Sequence, residues 1–429
     1  MTTEHPGRAK LPARFHRIWA ASAVSSLGDG IYYSALPLLA LTLTRNPTVF
    51  GIMEAVTLLP WLFFGLIGGA LVDRWDRRRT MVVTDLCRFV LLALATVAVA
   101  GGFLSIALLI AIGFLLGTGG VLFDTASMAY LPELLDRDQE SLQRANSRLQ
   151  GAERALGGFI GPPAGSLLFS LGRTVPFVTD AVSFLSSSLL IRTLPAAPKK
   201  PARPKTSILR DARTGASYLL HHKLLLGLSV RPAVGNFAFC GTGAVLALYA
   251  HDTLRLGTGG YGAFLTTEAV GGLIGTCVAG WLGARLGTGG ALTLTAIVEA
   301  GALLGVGMSA NAYLAGTGLA VLGVAMGATM TLGPSVRQAI VPDELMGRVG
   351  AAARLTALSA GPVGALFGGW LAHVAGLRAP FLAGAGILVL MAALAARLTS
   401  NKRIDAALAE AAREREGGTA TATLVPEPA

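Results

Sequence analysis

Charge is scarce in this sequence. Asp, Glu, Lys and Arg together make up 14% of 429 residues, where soluble domains average about a quarter. So few charges cannot clothe the surfaces of the two or three soluble domains that a chain this long would form. Cysteine is scarcer still. Cys87, Cys240 and Cys277 each stand alone inside an apolar run, which excludes a disulfide framework or a thiolate metal site and leaves them as packing residues. His, Cys, Asp and Glu nowhere gather at ligand spacing. No nucleophile signature and no phosphate-binding glycine loop is present. These gaps point to no metal, no cofactor and no ATP-driven pump, and they weigh against an enzyme. The net charge of +11 raises nucleic acid as a partner, but the basic residues lie in the breaks between apolar runs, so that reading fails.

What is present is apolar length. Hydrophobic residues make up 53% of the chain and Gly numbers 55, a composition suited to helices packed closely in lipid. Runs of about twenty residues are long enough to cross about 30 Å of hydrocarbon as helices. They predict an all-α membrane protein with about twelve transmembrane helices in two pseudo-symmetric six-helix bundles. The first half has spans at 18–42, 49–72, 81–101, 104–130, 147–171 and 176–194. The second has spans at 224–250, 260–284, 290–310, 313–337, 349–373 and 380–398. Residues 1–17 read as a polar N-terminal tail, 18–194 as one half, 195–223 as a linker extended by its prolines, 224–398 as the other half and 399–429 as a C-terminal tail. With the N-terminus inside, only Arg45, Arg173, Arg255 and Arg378 fall outside, and Arg88, Arg148, Arg154, Arg231 and Arg354 fall within spans. The remaining Lys and Arg are cytoplasmic, so the positive-inside rule places both termini in the cytoplasm. The pair His221-His222, at the start of the seventh span, reads as interfacial.

The halves share features at a common offset. Gly69-Ala-Leu-Val-Asp73-Arg74-Trp-Asp76 has a counterpart in Gly280-Trp-Leu-Gly-Ala284-Arg285-Leu-Gly287. Leu131-Pro132-Glu133-Leu134 has one in Val341-Pro342-Asp343-Glu344. Internal duplication of this kind is a mark of secondary transporters. In the first copy Gly69 permits close packing of the second span. Asp73 is an acid at a membrane boundary, expensive without a partner, and it suits a latch that accepts hydrogen bonds across the interface between the halves.

From these residues the chain resembles the major facilitator superfamily, whose signature Gly-x-x-x-Asp-Arg-x-Gly-x-basic-basic appears as Gly69, Asp73, Arg74, Asp76, Arg77, Arg78 and Arg79. Asp76 replaces the usual Gly, and an aspartate that enters the left-handed backbone region would keep the turn. The Asp variant, with Leu27-Gly28-Asp29, Asp85-x-x-Arg88, Arg144-Ala145-Asn146 and Gly347-Arg348-Val349, resembles the branch of bacterial siderophore exporters and macrolide efflux pumps. The resemblance covers about residues 15–398. It implies Gly69, Asp73, Arg74, Arg77, Arg78, Asp85 and Arg88 as a cytoplasmic gate motif. In the fifth span Gly157, Gly161, Pro162 and Gly165 resemble the glycine–proline motif of superfamily antiporters, where a missing backbone donor and small residues form a bend.

The implied protein is a secondary active exporter in a bacterial inner membrane. Its expected cargo is an amphiphilic small molecule such as a drug, macrolide or siderophore, exchanged for protons by alternating access. It would be surrounded by lipid and act as a monomer. Proton coupling needs a buried acid, and the deep ones are Asp29, first in order, then Glu54, Glu268 and Glu299. Tyr32, Tyr33, Trp61, Phe63 and Phe64 would give an aromatic cavity wall. The open alternatives are a nutrient importer or lipid transporter on the same fold and, from another class, a non-transporting sensor or intramembrane enzyme.

Overall fold

The computed structural model of the chain describes residues 11–72, 75–135, 138–195 and 208–422. Among these residues every regular element is helical. The first four are α1 (Ala13–Leu43), α2 (Pro47–Val72), α3 (Arg77–Ala100) and α4 (Ile106–Leu134). A rod follows, made of α5 (Gln139–Ala152), a π-helical stretch Glu153–Ile160 and α6 (Gly161–Leu171), and then α7 (Val175–Arg192). Further on come α8 (Ile208–His221), α9 (Lys223–Leu248) continuing into the π-turn Tyr249–Thr253, α10 (Thr258–Met308) and α11 (Ala312–Ile340). The chain ends in α12 (Asp343–Ala375), α13 (Ala379–Leu398) and α14 (Asn401–Ala422). Nine helical stretches among the described residues are long and apolar enough to cross a membrane.

The helices group into two compact units. One comprises Met1–Pro204 with Ala244–Thr266, the other Lys205–Gly243 with Thr267–Ala429. In the first, α1 packs on α7, α6 and the π segment, α3 packs on α4 and α7, and α2 packs on α4. In the second, α12 packs on α8 and α13, and α11 on α14. Lipid tails are as apolar as leucine, so these contacts depend on close packing and not on removal from water. Glycine makes that closeness possible. A Cβ on Gly30 would strike the carbonyl of Gly157, and one on Gly165 would strike the carbonyl of Ile31. In the second unit Gly271 and Gly275 of α10 do the same against Ala320 and Val324 of α11.

Two local features differ from the sequence expectation, and a third shows how it is met. Asp76 is not left-handed. Its φ and ψ are −68° and 113°, and its carboxylate accepts the Arg79 amide at 2.7 Å, so it serves as the N-cap of α3. The short acidic side chain is used for a cap and needs no unusual backbone there. Secondly, the expected linker 195–223 contains α8, in which Tyr218 and Leu219 pack on the core and Gly215 lies against the carbonyl of Arg348. The prolines 195–204 hid an amphipathic pattern that starts just beyond them. The linker residues 196–207 lie outside the described residues. Thirdly, the spans expected at 260–284 and 290–310 are the two limbs of α10, which breaks between them at Gly287, whose φ of 72° requires glycine. Asn401, at the start of α14, accepts the amides of Gly289 and Gly290 at 2.8 and 3.1 Å and so caps the second limb.

Candidate functional site

The deepest charged cluster of the first unit forms around Arg88 of α3. Arg88 is 6% exposed. Its Nη2 donates to Asp29 of α1 in a close ion pair, and its Nη1 lies 3.8 Å from Asp85, one turn earlier on the same helix. The guanidinium also stacks over Phe184 of α7, 3.7 Å from the ring centre. Gly119 of α4 leaves the space that the stem of Arg88 fills, since a Cβ there would lie 2.8 Å from Arg88 Cγ. A third acid, Asp180 of α7, is 1% exposed and accepts the hydroxyl of Ser183 at 3.1 Å. Both Asp180 and Ser183 stand where a side chain on Gly28 would go, so α7 approaches α1 directly beside Asp29.

Asp29 and Asp85 sit differently in this cluster. The Asp29 side chain is 48% exposed, so one side meets Arg88 and the other is accessible. Asp85 is fully buried, and neither of its oxygens has a hydrogen-bond partner among the described residues. Glycines on either side hold Asp29 in place. Gly28 faces α7, and Gly30 meets Gly157 and Gly161 backbone to backbone. The stripe Gly157, Gly161 and Gly165 therefore sets the distance between α1 and the α5–α6 rod. Pro162 lacks the N–H that a regular helix needs. The rod adapts with the π-helical stretch just before it, closed by a bond from the Gly161 amide to the Leu156 carbonyl.

The second unit has its own buried pair. Arg231 of α9 and Glu299 of α10 are 5% and 6% exposed, with Nη2 3.5 Å from Oε1. Arg231 Nη2 also donates to Thr295 and Thr329 at 2.8 and 2.9 Å, and the Thr329 hydroxyl donates to Glu299 at 3.0 Å. Glu299 stands 211 residues after Arg88, the spacing between Asp73 and Ala284. The acid and the base have exchanged places between the two halves.

The remaining predicted residues are more scattered. Tyr32 joins the first cluster, partly buried edge-on to Phe177 at 6.1 Å. Tyr33 and Phe63 are exposed, and Trp61 and Phe64 are half-buried. Glu54 and Glu268 are half-buried and have no ion pair or hydrogen bond among the described residues. Of the signature, Asp73 and Arg74 lie outside the described residues, as does the side-chain environment of Gly69. Arg77 pairs with Glu133 of α4 and donates to the Ala129 carbonyl at 3.2 Å, and Arg78 donates to the Leu194 carbonyl. These two tie helix ends together within the first unit. Asp85 and Arg88 lie about 12 and 16 Å further along α3 at 1.5 Å per residue, and they belong with Asp29. The sequence reading missed Asp180 and the pairing of Arg231. A signal for both was available, since charges inside lipid-spanning segments are rare and usually paired.

Two compact helical units, each with an arginine paired to an acid inside an apolar helix bundle, fit a transporter of the major facilitator type. Residues 9–421 match the family described as "Transmembrane secretion effector", and the chain belongs to it. It is 29% identical over 403 residues to the multidrug efflux pump Tap of Mycolicibacterium fortuitum, covering 90% of this chain and 96% of that one. Macrolide efflux protein A of Streptococcus pyogenes is 23% identical over 243 residues, covering 56% and 59%. A crystal structure of the nucleoside transporter NupG superposes with a TM-score of 0.76 at 11% identity, covering 90% of this chain and 99% of that one, which shows the shared fold.

Proposed function

We propose that this chain is a proton-coupled exporter of amphiphilic small molecules, working as a monomer by alternating access of two six-helix halves with both termini in the cytoplasm. Beyond the nine apolar stretches, the Ser- and Gly-rich α1 and the π-broken α5–α6 rod serve as crossings, and α10 crosses twice by turning at Gly287, which makes twelve. The efflux direction is supported by the relatives, a multidrug pump and a macrolide exporter, and by the glycine–proline motif of the rod.

The observation that carries the coupling is the pairing of Arg88 with Asp29 and its approach to Asp85, with the charges of Asp180 and Asp124 also acting on the same guanidinium. One cation cannot neutralise several carboxylates, and a buried unpaired ion costs several kcal/mol, so the cluster is a place where protons are held. Asp29 is the accessible member. A proton reaching it cancels its attraction to Arg88, the guanidinium turns to Asp85, and α1 is released to move against α3. Cargo binding with loss of the proton restores the pair. Such a cycle converts a proton gradient into motion through a contact that both states bias.

The test is accumulation of a panel of amphiphilic dyes of either charge in inside-out vesicles, with and without a proton gradient. Wild type accumulates dye only with the gradient. Asp29→Asn loses gradient-driven accumulation but keeps exchange of internal for external dye. Accumulation that ignores the gradient, or an Asp29→Asn variant that pumps like wild type, would sink the assignment.

A further inference from the structure

The second unit encloses a cavity of about 340 Å³ lined by α9 to α13 of that unit alone. This is at the small end of the roughly 300–1,000 Å³ range of ligand pockets. Much of its wall is apolar, with Phe239, Met326 and Met330 among its larger side chains, and methionine adapts its shape to varied occupants. The charges are lopsided. Arg231, Arg337 and Arg354 all line the cavity, and among the described residues Glu299 is its one carboxylate. Glu299 already accepts Arg231 and the Thr329 hydroxyl. Arg337, half-buried, and Arg354 have no acidic partner among the described residues. Arg231 is 5% exposed, yet its Nε donor has no acceptor there either.

We propose that this cavity binds the head of an anionic amphiphile, a carboxylate or a phosphate carried on an apolar body. A cation would meet an excess of positive charge, and a neutral ligand would leave charged donors unanswered. An anion answers both, because guanidinium groups match the paired oxygens of carboxylate and phosphate. Its apolar body lies against the apolar part of the wall, to which Phe239 and Met326 contribute. Arg354, the exposed member, meets the head first, and Arg337 takes its second oxygen. The proposal rests on the export reading only in treating the occupant as cargo. It does not depend on Asp29 or on the coupling ion.

The experiment is an equilibrium fluorescence titration of the full chain in phosphatidylcholine nanodiscs, with no gradient. The probes are 11-(dansylamino)undecanoic acid and its methyl ester, which differ only in the charge of the head. The acid is expected to bind at least tenfold more tightly than the ester. Arg354→Ala and Arg337→Ala each weaken the acid about tenfold and leave the ester unchanged, while Arg354→Lys, which keeps the charge, loses less. A variant that fails to run as a single species on gel filtration is replaced by its Lys counterpart. Equal binding of acid and ester, or wild-type binding of the acid by both Ala variants, overturns the proposal. Displacement by a soluble short-chain phosphatidylglycerol identifies a phosphate head, and displacement by alkyl carboxylates alone identifies a fatty-acid-like one. Because no gradient is applied, loss of proton coupling in the vesicle assay leaves this result intact, and the reverse also holds.

Discussion

Replacing Gly161 with alanine tests the contact on which the position of Asp29 depends. An added Cβ would lie 2.6 Å from Gly30 Cα, 2.8 Å from the Gly30 carbonyl carbon and 3.0 Å from the Leu156 carbonyl oxygen. Carbon atoms rest at about 3.5–4.0 Å, so α1 and the rod must part by roughly 1 Å. None of the three atoms belongs to a side chain that can turn away. Overpacking costs about 1–3 kcal/mol, and a backbone neighbour puts this site near the top of that range. The gain in helix propensity from Gly to Ala offsets about 1 kcal/mol of it. The net expectation is about 2 kcal/mol of destabilisation. Gly158, three residues earlier in the π stretch, has nothing within 4 Å of its own added Cβ. Gly158→Ala therefore feels only the propensity gain and serves as the control. Unfolding in detergent, followed by loss of the monodisperse peak with temperature or denaturant, should rank Gly161→Ala below wild type and Gly158→Ala at or above it. Since Asp29 is adjacent to Gly30, Gly161→Ala should also cut gradient-driven transport more than Gly158→Ala does. If the two variants are equally stable, close approach at Gly30 does not hold these helices and the argument fails.

In the second unit, Arg231→Met should strand Glu299 as an unpaired buried acid and destabilise the protein by about 3–5 kcal/mol. The double variant Arg231→Met/Glu299→Leu should recover at least half of that in the same unfolding assay, and a single variant as stable as wild type would refute the pairing. Asp138 caps α5, accepting the Ser141 amide at 2.9 Å, and its hydrogen bonds to Ser141 hold its carboxyl below the usual carboxylate range. A depressed folded value means the capping contribution is complete above the ordinary aspartate value of about 3.9 and is lost as pH falls through the lower one. Amide exchange at the start of α5 should thus stay slow at pH 5 and accelerate near pH 3, beyond the intrinsic pH effect. Asp138→Asn, which caps without a charge, should abolish that extra change.

Most of the helices could be read from the sequence because in lipid a spanning helix must satisfy its own backbone and be apolar along its length. The stretches from α2 to α4 and from α11 to α13 lie where apolar runs lie. The misreadings fall where a local signal served another purpose. Asp76 was judged by the glycine it replaces and turned out to be a cap. The prolines before residue 205 concealed α8. Asp29, Arg88 and Glu299 were legible as charges in apolar surroundings, but their partners were not. Asp180 lies 151 positions from Asp29 and Glu299 lies 68 from Arg231, and no local pattern links such residues.

The amino-acid order alone was enough to place the chain in a membrane and to mark the family signature. These follow from composition, run length and short motifs, which act through solvation and local geometry. Only the folded structure decided which acid meets which arginine, that Asp29 and Asp85 both face the guanidinium of Arg88, and that Arg337 and Arg354, without an acidic partner among the described residues, line the cavity beside Glu299. Those outcomes depend on how helices distant in sequence pack through their glycines, to within an ångström. Close approach of the α7 side chains at Gly28 and of backbone at Gly30 and Gly161 holds Asp29 within reach of Arg88.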